Sequence, residues 1–189
     1  PYSYREKLAL PKLIINAAGD QFFLPDSWQF YWKDLVGEKH LRYVANGDHS
    51  LGGTDAITSL VSFHQHIVSQ TPRPDFDWKV ENGQILIRTK EAHPPAAIHL
   101  WQVNNPEGRD FRVETIGKAW TSKEIPISPN GAYQLSVKEP TEGYRAYFVE
   151  LTFPGIGEVP LKLSTGIVVT PDSYPHESFQ SPDPKGNME

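Results

Sequence analysis

Asp20 and His49 are the two residues of this chain whose types and settings suit proton chemistry. Pro11-Lys-Leu-Ile-Ile-Asn-Ala-Ala-Gly leads into Asp20, and Leu41-Arg-Tyr-Val-Ala-Asn-Gly-Asp leads into His49. Leu13, Ile14 and Ile15, then Leu41, Tyr43 and Val44, have the branched or aromatic side chains of buried strands. A residue just past the carboxyl end of such a strand stands where ligands and catalytic groups gather in an open parallel sheet, because the strand fixes the backbone and the loop presents the side chain. An imidazole can take a proton from a hydroxyl near neutral pH, and a carboxylate on its other nitrogen holds the tautomer and steadies the imidazolium. Acid first and His second is the order of an α/β-hydrolase triad after its Ser. The Gly-x-Ser-x-Gly elbow that would carry that Ser is not in the sequence. Ser50 adjoins His49, but successive side chains point apart, so the expected nucleophile lies upstream of Pro1.

The elements that must position this pair read strand, helix, strand, helix over residues 1–72. Pro25, Asp26 and Ser27 form a helix start, and Trp28, Tyr31, Trp32 and Leu35 recur as one helix face, closed by Gly37. Asn46, Gly47, Gly52 and Gly53 bracket His49 with residues that tolerate unusual backbone angles. Thr54 or Asp55 then caps a helix whose stripe of Ile57, Leu60, Val61, His64, Ile67 and Val68 is expected to pack on the sheet. This is the closing portion of an α/β sheet and too little to close a sheet alone, so the face left bare is expected to meet further chain.

Thr71-Pro-Arg-Pro74 reads as a stiff linker, and residues 73–170 read as an all-β domain. Strands are expected at Asp77–Val80, Ile85–Lys90, Ala96–Asn104, Phe111–Trp120, Ala132–Lys138, Tyr144–Phe153 and Leu161–Thr170, with turns at Asn82-Gly83, Pro94-Pro95, Asn105-Pro-Glu-Gly108, Pro129-Asn-Gly131 and Glu142-Gly143. About seven strands in ~95 residues is the size of an immunoglobulin-like or fibronectin-like sandwich. Trp101 falls where such folds place a core Trp. Tyr144-Arg-Ala146-Tyr-Phe148 resembles the opening of the sixth strand with its tyrosine corner. Residues 171–189 are rich in Pro, Ser and charge and read as a tail.

The runs Pro11-Lys-Leu-Ile-Ile-Asn-Ala-Ala-Gly-Asp-Gln-Phe-Phe-Leu-Pro-Asp-Ser27, Phe30-Tyr-Trp, Leu35-Val-Gly-Glu-Lys-His-Leu-Arg-Tyr-Val44 and Asn46-Gly-Asp-His-Ser-Leu51 resemble the PhoPQ-activated pathogenicity-related family. The likeness is dense over residues 1 to about 70. It implies a secreted or periplasmic α/β-hydrolase with an appended C-terminal β domain. By it Asp20 takes the acid role and His49 that of general base, and a Ser nucleophile is implied that no residue here matches. It implies no defined substrate; hydrolysis of a small ester or peptide is the class of reaction expected.

Other features narrow the field. Net charge is −5 with no basic run, which gives no reason to expect nucleic acid. With no Cys, disulfides and thiolate chemistry are excluded. No apolar run reaches the roughly 18–20 residues of a membrane span. The sequence begins at Pro1 without Met or leader, and a missing N-terminal hydrolase segment of roughly 200 residues is expected on the size of α/β domains. His64 and His66 diverge by about 200° on a helix, so joint metal binding is not expected, and nothing calls for a cofactor. Phe22 and Phe23, with Trp28, Phe30, Tyr31 and Trp32, are placed to floor a substrate pocket beside Asp20. The alternative is a non-catalytic binding or signalling protein whose β region is an interaction or carbohydrate-binding module.

Overall fold

The computed structural model describes residues 2–177. After a 3-10 turn at Tyr2–Lys7, strands β1 (Lys12–Ala17) and β2 (Lys39–Val44) pair in parallel, with Leu13 opposite His40 and Ala17 opposite Val44. Both strands therefore end level, and the loops carrying Asp20 and His49 leave from the same edge. The outer edge of β1 has no partner strand among the described residues.

The helix expected from Ser27 does not form. The segment makes two 3-10 turns, Ser27–Phe30 and Trp32–Asp34, separated at Tyr31, whose φ is −131°. Its aromatic side chains follow separate anchors instead of one helix face. The Trp28 Nε1 donates to the Ile167 carbonyl at 2.8 Å, the Tyr31 hydroxyl accepts from Asn16 Nδ2 at 3.2 Å, and the Trp32 ring lies 5.8 Å from that of Trp78.

Helix α1 (Ala56–Val68) forms where the sequence placed it, but it is turned over. Ala56, Ser59, Ser62, Phe63 and His66 face inward, while Ile57, Leu60, Val61, Ile67 and Val68 are exposed, Ile57 by 63% and Val68 by 68%. The small inward residues allow a close approach to the loop that follows Phe153. Ser62 Oγ donates to the Val159 carbonyl at 3.1 Å, and the His66 Nδ1 donates to Ser62 O at 2.8 Å. His64 is exposed and His66 buried, so the two rings diverge as their spacing requires. At the start of α1 the Thr54 Oγ1 accepts from Ala56 N, while the Asp55 carboxylate goes to Arg42 and Lys162.

From residue 76 the chain is antiparallel. Strands β3 (Phe76–Glu81), β4 (Gln84–Thr89) and β7 (Ala132–Ser136) form one sheet in the order β3-β4-β7. A second sheet joins β5 (Ala97–Asn105), β6 (Thr121–Glu124), β8 (Tyr144–Phe153), β9 (Leu161–Ser164) and β10 (Val168–Thr170), with β5 on one side of β8 and β9 and β10 on the other. The single strand expected over Leu161–Thr170 is thus broken at 165–167. The Trp28 indole lies against Gly166, where a Cβ would meet the ring at 2.1 Å, and it takes the Ile167 carbonyl. The Phe111–Trp120 run is not a strand either, but a connector holding a single helical turn, α2 (Val113–Ile116). The Asp110 carboxylate accepts from Arg112 N and from the Thr115 hydroxyl, a local alternative to a strand ladder.

Strand β8 is buried on both faces. Tyr147, Val149, Leu151 and Phe153 meet Ile85, Ile87 and Tyr133 of the three-stranded sheet and Phe63 of α1. Ala146 and Phe148 meet Ala18, Leu41 and Tyr43 beside β1 and β2, together with Phe111 and Trp120. The phenol reaching back to backbone is that of Tyr147, which donates to Gly83 O, and not that of Tyr144. Trp101 is half-buried and stacks on Phe148 at 6.5 Å. Of the expected tail, residues 178–189 lie outside the described residues, and Tyr174 lies under the Arg109 guanidinium.

The 71–74 segment is tied down by charge. Arg73 Nη2 donates to Glu38 Oε2 at 2.5 Å and Arg73 Nε donates to Oε1, which also accepts from His40 Nε2 at 2.8 Å. The Arg73 hydrogen bonds, opposed by partial burial and helped by His40, hold the Glu38 carboxyl at about 2.

Two outcomes follow. Phe63→Ala should cost about 3–5 kcal/mol in denaturant unfolding, whereas Leu60→Ser on the outward face should stay within ~0.5 kcal/mol; the reverse ranking would mean that α1 faces the other way. A carboxyl depressed from an unfolded value near ~4.3 contributes stability above that value and loses it as pH falls toward the folded one. The melting temperature should therefore drop more steeply between about pH 5 and pH 3 for the wild type than for Glu38→Gln, and equal slopes would count against this pair.

Candidate active site

The parallel pairing of β1 and β2 continues past their ends. Ala18 N donates to Val44 O at 2.9 Å and Gly19 N to Gly47 O at 3.1 Å, which draws the two loops together. Gly19 has to be glycine, since a Cβ there would lie 2.4 Å from Val113 Cγ2 and 3.0 Å from Gly47 O. Asn46 and Leu51 turn the second loop with positive φ of 58° and 54°.

Asp20 and His49 meet across this gap. The His49 Nδ1 lies 3.0 Å from Asp20 Oδ2 and 3.2 Å from Oδ1. An ionised carboxylate only accepts, so in the neutral ring Nδ1 carries the proton and Nε2 keeps its lone pair. Asp20 is 6% exposed and its Oδ1 also accepts from Phe22 N at 2.7 Å and Phe23 N at 3.1 Å. Burial pushes this carboxyl up, but the two amides and the imidazole outweigh it and hold the group below its ordinary value. The His49 side chain is 45% exposed and so remains open to a reacting partner.

The loop that clamps the carboxylate also presents the two phenyl rings. Phe22 meets the imidazole edge-on at 4.8 Å and Phe23 lies tilted at 5.7 Å, both largely exposed. All four residues singled out from the sequence, Asp20, His49, Phe22 and Phe23, are thus gathered at one place. Of the wider aromatic set, Phe30 is exposed, while Trp28 and Trp32 pack with Trp78 at ring distances of 4.9 and 5.8 Å. Ser50 gives its hydroxyl to Asp48 Oδ1 at 2.6 Å and not to His49.

Three further contacts order these loops. Gln21 Oε1 accepts from His49 N at 3.3 Å. The Asn46 side chain bonds the Trp120 backbone twice, and Val113 N donates to Gly19 O at 3.0 Å. Only the left-handed tolerance of Asn46 signalled itself in the sequence; the others depend on chain far away in sequence. No group of three or more His, Asp or Glu able to hold a metal ion occurs among the described residues. No helix among them is long and apolar enough to cross a membrane.

Residues 1–112 match the family described as PhoPQ-activated pathogenicity-related protein. The chain belongs to this family. Autocrine proliferation repressor protein A of Dictyostelium discoideum is 32% identical to this PhoPQ-related chain over an alignment covering 94% of the chain and 41% of that protein. The chain therefore spans about two fifths of the length of this relative. No solved structure matches.

The tight seat of Gly19 between the two loops and the connector gives a direct outcome. Gly19→Ala should lower stability by about 1–3 kcal/mol, measured by urea unfolding. A neutral result would mean that the connector does not press on the loop.

Proposed function

We propose that this chain supplies the acid and the general base of a serine hydrolase acting on small ester or peptide substrates. The observation that carries the reading is the Asp20–His49 contact, 3.0 Å long, at the level ends of two adjacent parallel strands. In the reaction a Ser from polypeptide outside these residues attacks the carbonyl carbon while His49 Nε2 takes the hydroxyl proton. Asp20 stabilises the imidazolium so formed, which then gives the proton to the leaving alcohol or amine. Water repeats the cycle on the acyl-enzyme. Phe22 and Phe23 offer an apolar wall beside the imidazole for the substrate. This chain alone is inactive on that reading.

The same reading makes residues 1–72 the closing part of an α/β-hydrolase domain and residues 73–170 an immunoglobulin- or fibronectin-like β-sandwich, in a secreted or periplasmic protein. The open edge of β1 and the outward apolar face of α1 support a preceding hydrolase segment as the partner that covers them. The matched relative is longer than this chain, which agrees with it.

A second reading, a non-catalytic binding or signalling protein, is favoured by the name of the Dictyostelium relative, an autocrine proliferation repressor. A fluorophosphonate probe separates the two on a polypeptide spanning the full length of that relative. Hydrolase chemistry predicts labelling that falls at least about a thousandfold in rate in His49→Ala. A wild type that takes no label would leave the signalling reading.

A further inference from the structure

We infer that the connector between β5 and β6, residues 106–120, braces the Asp20–His49 pair, with Asn46 and the Val113 amide as its positioning contacts. This rests on the hydrolase reading and adds that the β region is part of the catalytic scaffold and not an appended module.

Each site loop is held from two sides. One hold is mutual, Gly19 N to Gly47 O. The other comes from the connector, which touches both loops next to the reacting groups. At the acid loop, Val113 N donates to Gly19 O at 3.0 Å, one residue before Asp20, and Val113 Cγ2 fills the space a Gly19 Cβ would need. At the base loop, three residues before His49, Asn46 Nδ2 donates to Trp120 O at 3.1 Å and Asn46 Oδ1 accepts from Trp120 N at 3.0 Å. This amide stands in for a rung of a strand ladder, and it does so from a left-handed backbone that Asn tolerates.

The connector can act as a brace because it is sunk in the core at two points. Phe111 and Trp120 are buried, and the Trp120 ring meets Phe148 of β8 edge-on at 5.4 Å. Between them the chain is shaped by Asp110, which binds the Arg112 amide and guanidinium and the Thr115 hydroxyl. A strand over 111–120, the arrangement its composition suggested, could not turn both the Val113 amide and the Trp120 backbone toward the loops, because residues an odd number apart face opposite edges of a strand. Proton transfer through a His held by a carboxylate needs both groups fixed closely, and a displacement of about 1 Å can cost on the order of a hundredfold in rate.

Two substitutions cut the brace with little disturbance elsewhere. Asn46→Gly keeps the left-handed backbone and removes both bonds to Trp120. Val113→Pro removes the amide donor at the first helical position, where Pro is tolerated, and Arg112 is already extended at φ −61° and ψ 141°. In this chain, 15N spectra of His49 should show the Nδ1–H tautomer in the wild type and a reduced share of it in each variant, while β5 and β8 amide resonances stay in place. Asn46→Asp, which keeps the acceptor for Trp120 N, should fall between. In a full-length polypeptide that takes the fluorophosphonate label, each variant should slow kcat by about ten- to a hundredfold with KM little changed. An unchanged His49 tautomer in either folded brace-cutting variant overturns the brace. An unlabelled wild type overturns only the hydrolase reading, because the tautomer measurement needs no nucleophile.

Discussion

A single buried cation sets the frame within which the rest of this molecule is arranged. Arg42 of β2 is 2% exposed, and its Nη1 donates to Glu150 Oε2 of β8 at 2.5 Å and to the Tyr43 carbonyl. Its Nη2 donates to Asp55 Oδ1 at 2.9 Å, while Lys162 of β9 holds the other Asp55 oxygen at 2.6 Å. A lone charge at such depth would cost several kcal/mol, so β2, β8 and the start of α1 can come together only in the arrangement that pairs them. An apolar set of the same volume can match or exceed the net stability that the group contributes, but the ion group admits few alternative arrangements. Fixing β2 fixes β1 through their parallel register, and with them the two loop ends that carry Asp20 and His49.

Around that frame β8 serves as a common wall. One face closes the core with the three-stranded sheet, and the other closes the core with β1 and β2. Tyr43 N donates to Ser164 Oγ at 2.8 Å and the Trp28 indole reaches Ile167 O, so the two stretches on either side of residue 72 are joined by hydrogen bonds as well as by apolar packing. The order of the loops is thus inherited from chain that follows them by a hundred residues or so. The Asp20 carboxylate is held by the two amides just after it, and the His49 imidazole by that carboxylate across the gap between the loops.

The strand ends were legible because the signals are local. An apolar run closed by Ala-Gly-Asp or Asn-Gly-Asp has only a few ways to turn, and two such runs in parallel end side by side. Most antiparallel strands were legible for the same reason, since Asn82-Gly83 and Glu142-Gly143 mark their turns. Trp28, Tyr31 and Trp32 misled, because helical spacing is shared by any aromatic cluster whose members find separate partners.

By itself the sequence determined the bounds of most strands and of α1, and that an acid and an imidazole follow adjacent strands, since turn chemistry and alternation act over a few residues. Only the tertiary structure decided which face of α1 turns inward, because Ser59 and Ser62 are small enough for close approach and Ser62 and His66 make hydrogen bonds that hydropathy does not register. It also decided that 111–120 is a connector and that Leu161–Thr170 breaks at Gly166. Both outcomes depend on contacts with residues 28, 46 and 19, far away in the chain, and a contact of that range leaves no local pattern to read.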